Sequence, residues 1–292
     1  MGKSRRRSGG NSPVTNFIDS NNKLYKKIID NTEFTKKVVE KRLEKVLEYC
    51  NENNLEIIDV KDIPHSANLN SLFSPALLGF KDKNTGKIIT IYENALYGKH
   101  SLNERNIKQV LDQTRSELNN IYSKVSGKYI ENIQSINITN GSALGSFAPY
   151  APNGINIMPQ AFNDKKQWAT GLTGTMIHEM GHCYDYNVIG DGLTTGLDSV
   201  FTRYPWGGGP TKYASGNKKE SISTVCEQVY TERVREDAKL SDGSPIDFAF
   251  SEKYGTPPDF HSSSDQKKMY KMWSNDPKWK PMVKEAKKIM GI

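Results

Sequence analysis

Cysteine is scarce: Cys50, Cys183 and Cys226 are the only three in 292 residues. An odd, widely spaced set does not make a disulfide framework. None sits in CxxC spacing, so all three are expected to be small buried hydrophobes. No apolar run approaches the ~20 residues a membrane-spanning helix needs. The opening Met1-Gly-Lys-Ser-Arg-Arg-Arg-Ser is basic, but no apolar stretch follows, so no secretory signal is expected and synthesis in the cytoplasm is implied. Residue 6 is Arg, which breaks the N-myristoylation pattern. There is no internal repeat, and no low-complexity tract beyond the first residues.

Aromatic residues are not lacking. With 14 Tyr, 10 Phe and 4 Trp the chain can bury a real core, which excludes wholesale disorder. The length allows two domains of ~150 residues or one large domain with appendages. The net charge of +7 belongs to the ends. Lys3, Arg5, Arg6 and Arg7 crowd the start, and from His261 onward eight lysines face Asp265, Asp276 and Glu285. Such ends are either solubilising or a docking surface for nucleic acid or another polyanion.

Residues 1–20 read as a basic flexible arm. Lys23 to Asn51 has the three- and four-residue apolar spacing of a long helix. Leu55 to Val60 reads as a short strand. Leu78–Phe80 and Lys87–Tyr92 flank Asn84-Thr-Gly86, which predicts a hairpin. Asn103 to Val125 is a second amphipathic helix, and Ile133 to Ile138 a strand. Gly154 to Met158 is a strand among prolines, which confines it to a sheet edge; Ile155 and Ile157 would point inward, Asn156 and Met158 the other way. Helices follow over Asp164–Val188 and Asn217–Asp237, and from about Ser264 with interruptions at Pro277 and Pro281.

Within the third helix stands His178-Glu179-Met180-Gly181-His182, an H-E-x-x-H pattern. With the five histidines of the chain, chance produces it roughly 0.005 times. On a helix the two imidazoles stand one turn apart and can reach one ion. Glu179 stands beside that ion, where a general base for an activated water belongs. Leu172, Met176, Ile177, Met180, Cys183 and Tyr184 fill the opposite arc, so the helix buries one side and turns its histidines into a cleft.

A catalytic zinc site needs a third protein ligand. The HExxHxxGxxH extension is excluded, because Asp185 and Val188 replace Gly and His. Asp191, Asp198 and Glu220 remain. Glu220 also completes a capping box with Asn217, so it is either ligand or helix cap. Asp185 either orients a ligand imidazole from behind or makes a surface hydrogen bond. Trp206-Gly-Gly-Gly-Pro210 reads as a mobile loop beside the cleft.

His178-Glu-Met-Gly-His-Cys-Tyr-Asp185, followed by Tyr213-Ala-Ser-Gly-Asn-Lys-Lys-Glu220, resembles the gluzincin metallopeptidases. It is closest to the anthrax lethal factor catalytic-domain family, over about residues 146–236. The resemblance implies an α+β, zincin-like domain over residues 131–292. There a small twisted sheet with an edge strand lies over the HExxH helix, followed by a Glu-bearing helix and C-terminal helices. Residues 21–130 would be an N-terminal helical and hairpin region, separate or part of the same domain. It implies one Zn²⁺ held by His178, His182 and Glu220, with Glu179 as base and Tyr213 as the hydroxyl on the oxyanion. Where that family carries a further acid four positions after its glutamate, this chain has Thr224, and the next acid is Glu227.

Two function classes follow. One is a zinc-dependent endopeptidase acting on a protein or peptide. The other is a zincin-fold structural or delivered component, a virion protein or a toxin, docking through its basic ends.

Overall fold

The computed structural model describes residues 50–58, 76–96, 104–147, 154–162, 171–186, 209–215 and 219–292. The basic arm and nearly all of the Lys23–Asn51 helix lie outside these residues, as do Asp191, Asp198 and most of the glycine loop. The chain divides into two compact units, Met1–Glu56 and Ile57–Ile292. Of the first, residues 50–56 are described: a helix end, a turn with Asn54 at φ 56°, and the start of a strand. Residues 130 and 131, on either side of the boundary the sequence left open, both lie in the second unit.

The architecture is α+β. Six strands form one mixed sheet: β1 (Leu55–Ile58), β2 (Ala76–Asp82), β3 (Ile88–Tyr92), β4 (Ser135–Ile138), β5 (Gly145–Phe147) and β6 (Gly154–Ile157), in the order β1-β2-β3-β4-β6-β5. The expected hairpin is present as antiparallel β2 and β3. Gly86 turns it at φ 69°, a left-handed angle that suits glycine. β4 and β6 run parallel to β3, and β5 returns antiparallel on β6. The β3–β4 crossover carries helix α1 (Glu104–Lys124) and the short α2 (Gly127–Ile130).

β6 is not an edge strand, contrary to the sequence reading. It lies between β4 and β5, and its register with both is unbroken. Pro159 and the prolines upstream flank Gly154–Ile157 without entering it, so no ladder donor is lost. β5 takes the outer place. Both faces of β6 are buried, so Ile155 and Ile157 differ from Asn156 in which layer they enter rather than in exposure.

The register sorts the sheet into two faces. Ile89, Ile136 and Ile155 lie in one row, and Ile91, Ile138 and Ile157 in the next, all fully buried. Each contributes about 1.5–3 kcal/mol on burial. The opposite face carries a polar row, Thr90, Asn137, Asn156 and Ser146. Its members bond across the strands: Asn137 Nδ2 donates to Asn156 Oδ1, and Asn156 Nδ2 to Ser146 Oγ, both at 3.2 Å.

Helix α3 (Gly171–Tyr184) carries the HExxH residues and lies on the isoleucine face. Gly145, opposite Ile157 on β5, abuts its Thr175 and Glu179. After α4 (Lys212–Ser215) comes α5 (Lys219–Thr231), which packs along α3. Helices α6 (Ile246–Tyr254), α7 (Ser263–Ser274) and α8 (Lys280–Met290) complete the unit. Pro281 lies in the first turn of α8, where no amide donor is required, so it begins a helix rather than interrupting one. All three cysteines are buried, as expected. No helix among the described residues is long and apolar enough to cross a membrane.

The hairpin is tied to α1 by a buried ion pair. Asp82 is fully buried; its Oδ1 accepts the amides of Asn84 and Thr85, and its Oδ2 meets Arg115 Nε at 3.3 Å. Asp82→Ala leaves Arg115 buried beside a missing carboxylate and should cost roughly 3–5 kcal/mol in a denaturant titration. Adding Arg115→Met to that variant should recover most of the loss; a double variant as unstable as Asp82→Ala alone would contradict this account.

Candidate functional site

The site forms where the C-terminal part of α3 meets the first turn of α5. Its existence depends on a close helix crossing. A Cβ added at Gly181 would stand 2.8 Å from Ser223 Cα and 3.0 Å from the Tyr129 hydroxyl. Only hydrogen at that position lets the axes come so near. On α5 the contact is made by Ser223, with Thr224 beside it, both fully buried. The polar, small-residue face of this helix is therefore packed rather than solvated. Tyr129 of α2 locks the crossing from behind, donating its hydroxyl to the Ile177 carbonyl at 2.9 Å. Thr173, near the start of α3, bonds Glu117 of α1 at 2.7 Å.

His178 is buried and His182 partly so. Glu220 projects from the first turn of α5, where the helix dipole favours a negative charge. Its Oε2 lies 3.0 Å from His178 Nε2 and 3.3 Å from His182 Nε2, and the two Nε2 atoms are 3.2 Å apart. Glu220 thus faces the two histidines; Asn217, its partner in the expected capping box, lies outside the described residues. Behind His178, Nδ1 is 2.9 Å from Glu227 Oε2. In the neutral ring a carboxylate there would hold the proton on Nδ1 and leave the Nε2 lone pair facing Glu220. Two ring nitrogens and a carboxylate oxygen thus converge within 3.3 Å of one another.

That donor set fits a metal ion. Ligand atoms about 2.0–2.1 Å from a tetrahedral ion stand about 3.3 Å from one another, and the three separations here are 3.0, 3.2 and 3.3 Å. These residues are a group able to hold an ion.

The electrostatics agree with a cation site. Burial alone would disfavour a charged His178, but hydrogen bonds to Glu220 and Glu227 outweigh it and raise its pKa to about 10. For Glu220 burial likewise opposes ionisation, yet its bonds to the two imidazoles hold the carboxyl well below the usual range. Glu179 is buried against Gly145 of β5; its pKa is raised, by burial first, against the lowering effect of the histidines. A carboxylate so placed faces the side of the site nearest the outer strand.

Tyr213, in α4, presents its ring to His178 at a centroid distance of 6.4 Å and is half-exposed. Burial of its hydroxyl end and the charge of Glu220, to which that hydroxyl is bonded, raise its pKa well above the ordinary value. Asp185 is buried one turn beyond His182, where α3 widens into a looser turn. Its charge bears on the Cys226 thiol, which burial pushes up to about 12. Gly209 and Pro210, at the end of the glycine loop, are buried, and the Gly209 amide bonds the Ala214 carbonyl.

Sequence reasoning did not assign roles to Glu227, Arg235, Asp237 or Gly145. Glu227 carried a signal, sharing one face of α5 with Glu220 seven residues earlier. Arg235 bonds Glu227 at 3.3 Å and stacks over Tyr213, its guanidinium carbon 5.1 Å from the ring centroid.

No family model, curated protein or solved structure matches the chain. The site is read from its own geometry.

Gly181→Ala tests the crossing. Alanine favours a helix over glycine by about 1 kcal/mol, but the new methyl meets backbone at Ser223 and overpacking costs about 1–3 kcal/mol. The melting temperature should fall; a rise would mean that the helices are free to separate.

Proposed function

We propose that the protein is a zinc-dependent endopeptidase of the zincin type, similar to the lethal-factor-like gluzincins. The observation that carries this reading is the convergence of His178 Nε2, His182 Nε2 and Glu220 Oε2 at the mutual spacing of one tetrahedral ion, with Glu179 beside them. The nitrogen-rich donor set favours zinc over calcium or magnesium, which prefer all-oxygen sites. A bound zinc ion would supply Lewis acidity, activating a water and polarising a carbonyl.

The remaining steps belong to side chains. Glu179 takes the proton of the attacking water as the new carbon–oxygen bond forms. Its raised pKa suits a base that must also give the proton back. The Tyr213 hydroxyl donates to the oxyanion of the tetrahedral adduct. Glu179 then delivers its proton to the departing amine nitrogen as the carbon–nitrogen bond breaks. An extended peptide would pair with β5, the outer strand beside Glu179.

A second reading keeps one observation in its favour. Lys280, Lys284, Lys287 and Lys288 are exposed along one side of α8, a basic strip that suits a polyanion or an assembly partner. Binding through that strip would weaken steeply with salt and would be indifferent to Glu179.

Glu179→Gln should abolish cleavage of an unfolded protein substrate while zinc content stays near one per chain. Undiminished cleavage would refute the mechanism. His178→Ala and Glu220→Ala should each lose zinc by elemental analysis, and full occupancy in either would remove that residue from the ligand set. Wild-type protein stripped by a chelator should melt at a lower temperature and regain its stability when zinc is restored.

A further inference from the structure

Arg235 is a buried guanidinium outside the three metal-facing side chains, yet it touches both halves of the site. Its Nη1 lies 3.3 Å from Glu227 Oε2, the same oxygen that meets His178 Nδ1 at 2.9 Å. Its Nε is 3.4 Å from Asp237 Oδ1, while Asp237 Oδ2 accepts the Tyr213 amide at 2.8 Å. Its guanidinium carbon stands over the Tyr213 ring, 5.1 Å from the centroid. Local backbone delivers it there. Glu232 leaves α5 at φ 51°, the Arg235 amide bonds Gln228 Oε1 at 3.0 Å, and Ala238 pairs with Thr211, two residues before Tyr213.

We propose that Arg235 is a positioning residue that sets the ligand histidine and the oxyanion tyrosine together: through Glu227 it fixes the ring of His178, and through its own face and Asp237 it fixes Tyr213. This deepens the peptidase reading and rests on it. A carboxylate held only by one imidazole can rotate about its last torsion, whereas a second charge-assisted contact on the same oxygen anchors it. Buried beside a metal ligand, Glu227 also needs a counter-charge, which Arg235 provides. Tyr213 is half-exposed and has little core around it, so the guanidinium plane does what packing would otherwise do. Lysine could replace the charge but neither the fork nor the flat face.

The experiment uses Co²⁺ as probe, titrated into the metal-stripped full chain against a chelator, with the visible absorption of the bound ion recorded and turnover of a fluorogenic casein measured alongside. Arg235→Met should weaken Co²⁺ binding about 10–100-fold and alter the spectrum. In a Glu227→Gln background the same change should cause no further loss. Arg235→Lys should keep Co²⁺ affinity within about threefold of wild type. It should still lower kcat about tenfold at unchanged KM, and this loss should vanish in a Tyr213→Phe background. The proposal is overturned if Arg235→Met binds Co²⁺ like wild type with the same spectrum, or if the losses add in full in the two backgrounds. Should Arg235→Met fail to fold, the Arg235→Lys and Tyr213→Phe cycle decides alone. Wild type that binds Co²⁺ but cleaves nothing removes the peptidase reading, and the Co²⁺ arms still decide the role of Arg235. Wild type that binds no Co²⁺ removes both.

Discussion

A carboxylate on one helix reaches two imidazoles on another only where the helix axes lie close together. Here that approach is set by the hydrogen-only side of Gly181 against the Ser223 backbone. Everything at the site inherits its position from this crossing. Glu220 enters from the first turn of its helix, where the dipole favours a negative charge, and the histidines come from the C-terminal half of theirs. Tyr129 and Glu117 also brace the HExxH helix. A larger residue at the contact would push apart the helices that bring His178, His182 and Glu220 together.

Behind the inner ligands lies a second layer of charge. Three carboxylates, Glu179, Glu220 and Glu227, gather around two imidazoles, and one buried guanidinium stands at the rear. Glu179 and Glu227 differ in their surroundings: the first lies against Gly145 of β5, and the second holds the Nδ1 nitrogen of His178.

The HExxH pair was legible in the sequence because its meaning is local: helical spacing alone stacks the two rings. That Glu220 faces the histidines was readable only through its spacing from Tyr213, since nothing local separates a side chain so turned from a helix cap. Glu227 and Arg235 were harder. The helix was expected to run to Asp237, but Glu232 adopts a left-handed angle and ends it at Thr231. That break turns Arg235 back toward the site, and no periodicity announces it. The edge assignment of β6 failed for a different reason. Prolines next to a strand do not break its ladder; only prolines inside it do. Helix α6 has a narrow apolar seam, Ile246 and Phe250, too slight for periodicity to reveal.

The polar row on the far face of the sheet has one more consequence. Sliding a strand by one residue would carry asparagines into the hydrocarbon layer and isoleucines out of it. Sliding by two would keep the polarity correct but misplace the glycines: a methyl at position 154 would sit 2.6 Å from Ser135 Oγ, and one at 145 would strike Glu179. Alignment is thus specified twice, once by chemistry and once by volume. For an outer strand only three residues long, that redundancy substitutes for length, and it keeps the backbone in front of the glutamate at a fixed height.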